Sequence, residues 1–455
     1  MITELRAQNF KSWQDTESLQ FAPLTGLFGA NSSGKTSILQ MLLMLIQTAE
    51  SPDRNRVLHL GDERTLVDFG TFQDLLYTHN TELPLQLEFS WKPSIPLSLD
   101  SLPVNINLFS SNEITFNTEI REENDRILVE YFHYTNSSYR FGMQREDNGK
   151  KRSRNQYELI HDGFNAIRTQ GRPLDLPPPV KCYGFPDEVG GNYQNLGFLS
   201  DFVLAFEKLF SNIAYLGPLR EYPRRRYIWS GERPQDVGIS GEEAIPALLA
   251  ARAEGLTSPR LVNVKRSHKP IEYRILEWLQ KMELIDSFSL EPIAENRKDY
   301  EFRVKKSRNS SEVLITDVGF GVSQLLPVLV LCYYVPENTT IILEQPEIHL
   351  HPKVQSDLAD VLIDVVKNRK VQIILESHSA LLLHRLQRRI AEEQIDPKDT
   401  ALYFCQINDG TSEIDRLKVD EYGNILNWPQ DFFGDDIGDL VEKTKVEMQR
   451  RKVMI

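Results

Sequence analysis

The chain is poor in cysteine, in positive charge and in long apolar runs. Its three cysteines, Cys182, Cys332 and Cys405, are far apart and form no Cys-x-x-Cys pair. That excludes a disulfide framework and a cysteine zinc site, and it fits a reducing, cytoplasmic setting. Asp and Glu outnumber Lys and Arg by 65 to 52, a formal charge of −13. The surface as a whole is therefore no nucleic-acid binder, and any DNA contact would need a local basic patch. The longest apolar run, Leu325 to Val335, is too short to span a bilayer, and Met1-Ile2-Thr3-Glu4 does not open a signal peptide. No membrane association is expected. Heptad runs, fixed-period repeats and long low-complexity tracts are also missing, which excludes coiled-coil arms and repeat arrays. What remains is 455 residues, 40% hydrophobic and 26% charged. That is ordinary for a protein with a large core and two or three modules.

One stretch organises the rest: Gly29-Ala30-Asn31-Ser32-Ser33-Gly34-Lys35-Thr36. It fits the phosphate-loop pattern of Gly, four residues and Gly-Lys-Thr. Leu24 to Phe28 before it read as a strand end, and Ser37 to Gln47 after it as a buried helix. Glycines let backbone N–H groups close round phosphates, and the helix N-terminus adds a positive field. Gly29, Asn31, Ser32, Ser33, Gly34, Lys35, Thr36 and Ser37 are the expected nucleotide contacts. Lys35 would reach the β and γ phosphates of ATP, and the Thr36 hydroxyl would ligand Mg²⁺.

Leu5 to Phe10 and Leu19 to Phe21 read as strands leading to this loop. Asn9-Phe10-Lys11-Ser12 reads equally as a strand end with a solvated lysine or as a part near the nucleotide. Val67 to Asp74 reads either as a surface turn or as a segment whose Gln73 or Asp74 returns to hold a water on Mg²⁺; Gln73 is the candidate carried forward. From Leu83 to Ile160 the period changes to two: Val104, Ile106 and Leu108, then Ile114 and Phe116, then Tyr139, Phe141 and Met143. With turns such as Asp147-Asn148-Gly149, this predicts an antiparallel β-rich insertion that either widens the ATPase sheet or makes a small side module. Gly171 to Pro179 is a Pro-rich connector. Phe202, Phe206 and Phe210 share one face of a helix. Arg220, Arg224, Arg225 and Arg226 follow a Gly-Pro turn, where a solvated charge run and a phosphate-binding cluster are both open readings. Ser240-Gly241-Glu242-Glu243 reads as a helix start, Ile271 to Leu284 as an amphipathic helix, and Phe288 to Ile315 as three strands.

Later stretches complete a nucleotide machine. Asp317 to Gln324 puts Gly319, Gly321, Ser323 and Gln324 at the start of an apolar helix, a geometry that suits an anion. Thr340 to Glu344 is an apolar strand ending on an acid, followed by Gln345, Pro346 and Glu347. A buried strand ending on acids is costly without a counter-charge, so Glu344 is expected to hold Mg²⁺ through water. His349-Leu350-His351-Pro352 lacks a third ligand for a histidine metal site. Val371 to Leu375 is a second apolar strand, ending on Glu376-Ser377-His378-Ser379. His378 would bond the γ-phosphate or the attacking water. All these residues fall at carboxyl ends of strands, where open α/β sheets place ligands.

On these motifs the chain resembles the ABC-like ATPases of the overcoming-lysogenization-defect (OLD) type, the RecF-like ATPases, and bacterial anti-phage ATPases such as those of the Gabija, Septu and PARIS systems. Leu216-Gly217-Pro218-Leu219-Arg220 and the tail Asn427-Trp428-Pro429-Gln430-Asp431-Phe432-Phe433 extend the likeness. The resemblance implies an α/β fold: an ABC-type P-loop ATPase head of mixed sheet and helices, with the β-rich insertion and a short α/β C-terminal extension. The expected division is 1–82 and 213–400 for the two head lobes, 83–212 for the insertion and 401–455 for the extension. It also implies a homo-oligomer with a dimeric active unit, in which two protomers trap ATP between one P-loop and the other's Gly319-to-Gln324 segment.

Two departures matter. Glu344-Gln345 stands where Asp-Glu is usual, and an amide cannot accept a proton at neutral pH. Either Glu347 supplies the catalytic carboxylate or turnover is slow. OLD and Gabija ATPases carry a Toprim nuclease after the head, whereas Ala380 to Ile455 has no such pattern, and the acidic Gly434 to Asp439 reads as a solvated turn. An effector, nuclease or toxin, would be a separate chain. Three functions are expected in order: a defence switch, a RecF-type ATPase clamping DNA, and an ATP-dependent scaffold with little turnover.

Overall fold

The computed structural model describes residues 1–93, 113–136, 138–146, 156–172, 175–258, 269–295 and 297–429. The alternation at Val104, Ile106 and Leu108, the Asp147–Gly149 turn and the tail from Gln430 onward lie outside the described residues.

The α/β mixed-sheet architecture expected from the sequence is present, built on two large sheets. One has six strands in the order Ile213–Leu216, Thr340–Glu344, Gln372–Ser377, Leu24–Gly29, Thr400–Asn408 and Thr411–Arg416. The first five are mutually parallel, and the last returns antiparallel as a hairpin. Both faces of this sheet are covered, which is why its strands are continuous apolar runs rather than alternating ones. Leu24, Phe28, Ile341, Leu343, Ile373, Leu375, Leu402 and Phe404 enter one core. The residues between them, Leu27, Ile342, Ile374, Ala401 and Tyr403, enter the other.

The second sheet has eight strands and is antiparallel. Ile2–Phe10 pairs with Trp13–Asp15, Leu19–Gln20 and Leu85–Trp91, and the sheet continues through Ile114–Glu123, Arg126–Thr135, Arg140–Arg145 and Tyr157–Asp162. Between the two sheets lie the helices Lys35–Glu50 and Leu199–Ser211. The first buries Ile38, Leu39 and the whole run Met41 to Ile46, so it is apolar on all sides. The second packs Phe206 and Phe210 against Phe89, Phe206 also against Phe116, and Phe202 against Tyr134 and Phe141. On the opposite face of the parallel sheet pack the helices Ala244–Ala253, Ile271–Lys281, Phe320–Tyr334, Pro352–Arg369 and Ala380–Ala391. A small sheet of Tyr227–Ile228, Ser287–Pro292, Asp299–Lys305 and Glu312–Leu314 sits beside them.

The sheets cross two of the divisions drawn from the sequence. The β-rich segment after residue 82 continues the sheet begun by Ile2–Phe10, because Leu85–Trp91 pairs with that strand from Ile2 to Gln8. The boundary at 400/401 falls inside Thr400–Asn408, which lies against the P-loop strand from Leu24 to Gly29. Among the described residues no helix is long and apolar enough to cross a membrane.

Candidate active site

Parallel strands deliver their carboxyl ends to one edge. There the chain leaves Leu24–Gly29 as a loop and re-enters as the helix Lys35–Glu50. Two glycines make the loop possible. Gly29 has φ +139°, and a Cβ there would sit 2.1 Å from the Cys405 carbonyl oxygen. Gly34 has φ +90° as the residue before the helix and provides no capping side chain. The first N–H groups of that helix thus have neither an intrahelical acceptor nor a side-chain cap, the arrangement that receives an anion.

Lys35 is only 2% exposed. Its ammonium donates to Gly29 O at 3.0 Å, Ala30 O at 2.5 Å and Ser33 Oγ at 3.3 Å. Burial pulls it below the ordinary lysine range, opposed by the charges of Glu376 and Glu347. The loop opens on a cleft of about 420 Å³ lined by Ser32, Ser33, Gly34, Lys35, Thr36 and Ser37 on one side. Lys11 and Ser12 join them, and the far wall is Asp74, Leu76, Thr78 and His79. Asn9-Phe10-Lys11-Ser12 therefore reaches the cleft through its last two residues. Asp74 lines it, whereas Gln73, the residue put forward for Mg²⁺, is exposed and does not. The reason is local. Thr71 and Asp74 form a reciprocal capping box at the start of the short helix Phe72–Leu75. That box fixes Asp74 on the cleft side, and Gln73 is engaged through its carbonyl by Leu76 and His79.

The acids gather beside the loop. Glu344 ends its strand, and Glu376, one residue before the end of the adjacent strand, is its partner in register. Thr36 Oγ1 donates to Glu376 Oε2 at 2.7 Å, and Tyr215 OH donates to Glu344 Oε1 at 2.9 Å. Burial pushes the Glu344 carboxyl up to about 7, reinforced by Glu376 and opposed by the Tyr215 bond and by Arg220. Glu347 Oε1 accepts from Ser377 Oγ and from the His378 N–H, both at 2.7 Å. Its Oε2 is buried with no hydrogen-bond partner. Gln345 has φ +43°, donates its N–H to Glu376 O at 2.9 Å, and places Nε2 3.4 Å from His378 Nε2. His378 Nε2 is also 3.7 Å from Glu376 Oε1.

Thr36, Glu344, Gln345, Glu347 and His378 are thus brought together with Lys35. Gly319, Gly321, Ser323 and Gln324 are not. Gly319 caps the helix Phe320–Tyr334, while Ser323 faces a small recess with Tyr222, Tyr227 and Ile245. His351 serves as the N-cap of Pro352–Arg369 through the Lys353 N–H at 3.3 Å. Among the described residues no group of three or more His, Cys, Asp or Glu forms a metal cluster. A hydroxyl with two buried carboxylates, Thr36, Glu376 and Glu344, does suit a hard cation that keeps most of its water and borrows phosphate oxygens, as Mg²⁺ does. Glu376 was not among the candidates from the sequence. The available signal was the tetrapeptide Ile-Ile-Leu-Glu, which occurs at both 341–344 and 373–376.

The family model "AAA ATPase domain" matches residues 1–166 and 264–383. A second, "Protein of unknown function (DUF3696)", matches 395–442. No curated protein matches the chain. Among solved structures, it is similar to an SmcHead bound to the C-winged helix domain of ScpA (13% identity, 92% of this chain and 98% of that one, TM-score 0.44). It is also similar to an SMC head domain from Thermotoga maritima (11%, 92% and 99%, 0.39). A third is an Smc head domain with an extended coiled coil, bound to the C-terminal domain of ScpA, from Pyrococcus furiosus (12%, 91% and 96%, 0.41).

Proposed function

The chain belongs to the AAA ATPase domain family, and from that premise we propose that it binds ATP with Mg²⁺ at the mouth of its parallel sheet, hydrolyses it through Glu347, and works as a pair of copies that switches a separate effector, a nuclease or toxin, in defence against phage. The observation that carries the catalytic half is one juxtaposition. Lys35 and Thr36 lie beside Glu344, Glu376, Glu347 and His378, and Glu347 presents an oxygen with no protein donor.

In this reading Lys35 exchanges its loop carbonyls for phosphate oxygens, and the first-turn N–H groups of its helix complete the cradle. Thr36, Glu344 and Glu376 would hold Mg²⁺, which when bound would offset phosphate charge and fix its geometry. Glu347 is held through Oε1 by Ser377 and His378, so Oε2 is free to accept a proton from water. His378 orients beside Gln345 and Glu376. The segment Gly319 to Gln324 does not line the cleft of its own chain. A second copy would supply it, as the resemblance to ABC-like ATPases implies and as its anion-seeking helix start suits. The effector half rests on the resemblance to the anti-phage ATPases.

Gln345 favours a second reading, an ATP-dependent scaffold with little turnover, because the usual base position holds an amide. Phosphate release by Glu347→Gln separates the two. A fall of about a hundredfold or more with nucleotide binding retained is expected, the typical worth of a general base. Unchanged hydrolysis would remove Glu347 from the role. DNA clamping is less favoured: Arg224 is paired with Glu221 and Arg225 with Asp317, and the net charge is −13.

A further inference from the structure

The arginine cluster after the Gly-Pro turn divides in two. Arg224, Arg225 and Arg226 are exposed, but Arg220 is 9% exposed although its neighbour Leu219 is 80% exposed. The fold dictates this. Ile213–Leu216 runs parallel to Thr340–Glu344 with Leu216 opposite Leu343, so it ends at the same edge as the P-loop strand. The chain then turns back, and Arg220 enters the acidic corner. Its Nη2 donates to Glu344 O at 3.4 Å, a long bond, while Nε and Nη1 are buried with no partner. Burial draws the guanidinium down to about 10, against the pull of Tyr215, Glu344 and Glu347. Nearby, Glu347 Oε2 is the mirror case, a buried acceptor with no donor.

Buried N–H groups of a cation cost stability unless an acceptor meets them. Here a buried cation with unpartnered N–H groups feels the charge of a buried carboxylate that itself has an unpartnered oxygen. We propose that Arg220 is a phosphate-contact residue acting within its own chain, its Nε and Nη1 receiving an oxygen of the terminal phosphate of the triphosphate. Planar, fixed donors of this kind match phosphate oxygens better than a lysine does. The assignment rests on the ATPase reading and deepens it: Lys35 and the loop hold the nucleotide, and Arg220 tells triphosphate from diphosphate.

Calorimetry with ADP and with a non-hydrolysable ATP analogue, both with Mg²⁺, tests this on wild type, Arg220→Gln and Arg220→Lys. Arg224→Gln serves as a control of equal charge change, and thermal melting is recorded for each protein. Arg220→Gln is expected to weaken the analogue by about tenfold or more, the worth of a charge-assisted hydrogen bond, and to leave ADP unchanged. Arg220→Lys should lose less, and Arg224→Gln nothing. Equal losses for both ligands would overturn the assignment, leaving Arg220 as a prop for Glu344 and Glu347. No loss for either would also overturn it, with a water bridging Arg220 and Glu347. If Arg220→Gln melts early and binds nothing, the analogue-to-ADP ratio of Arg220→Lys decides. Wild type that binds neither nucleotide would instead sink the ATPase reading itself.

Discussion

At the scale of single residues, two carboxylates share one buried corner. Glu344 and Glu376 are 5% and 2% exposed and face each other across adjacent strands. The Glu344 carboxyl, ordinarily near 4.5, is raised to about 7 by burial and then by Glu376. Between those two values the unfolded chain has released this proton and the folded one still holds it. Stability without ligand therefore falls as pH rises from 4.5 to about 7, and is flat in this respect above. The full span corresponds to about 3 kcal/mol. Glu344→Gln removes the titration, so its stability relative to wild type should climb between pH 5 and pH 7.5 in denaturant melts without nucleotide or metal. A difference independent of pH would mean that Glu344 does not titrate in this window. Legibility at this scale was uneven. Lys35 and Thr36 open a helix, Glu344 ends an apolar strand and His378 directly follows another, so chain position alone puts them forward as candidates. Glu376 meets Thr36 across 340 residues, and its use depends on strand order. The choice between Gln73 and Asp74 turned on a capping box that aims one side chain and not the other.

At the scale of elements, the P-loop is built against a hairpin from near the other end of the described chain. Trp13 Nε1 donates to Gly34 O at 3.1 Å, and Ser412 Oγ bonds Ser12 Oγ at 2.7 Å. A Cβ on Gly34 would lie 2.5 Å from Ser412 Oγ and 2.8 Å from the Trp13 ring, at φ +90°. Gly34→Ala is therefore expected to combine left-handed strain of about 1–2 kcal/mol with this overlap. It should lower the melting temperature and cost about tenfold or more in ATP affinity, since loop geometry is what aligns the N–H groups. Wild-type affinity in that variant would show that the loop is not held by Trp13 and Ser412. The P-loop helix and the two Ile-Ile-Leu-Glu strands were legible because both faces are buried and the runs are unbroken. Thr400–Asn408 is equally apolar, from Ala401 to Cys405. Nothing along the chain says that it lies next to Leu24–Gly29, so the sequence by itself assigns it to a C-terminal extension.

At the scale of the molecule, the antiparallel sheet, the two helices beneath it and the parallel sheet with its outer helices form successive layers. The site lies where the first 36 residues meet strands ending at 216, 344 and 377. The layer order follows from burial patterns, period two in the outer sheet and continuous in the inner one. The pairing of distant strands does not. The Gly319-to-Gln324 helix start lies outside the cleft lined by the P-loop, and the proposed pairing of two copies would have to bring it there. The claim beneath all of this is that the P-loop edge of the parallel sheet grips a nucleotide. Titration calorimetry of ATP with Mg²⁺ into wild type and Lys35→Ala, each checked for folding by melting, tests it most directly. Saturable uptake by the wild type and none by the variant is the predicted result. A folded wild type that takes up no ATP, or a Lys35→Ala protein that binds as tightly as wild type, would contradict it.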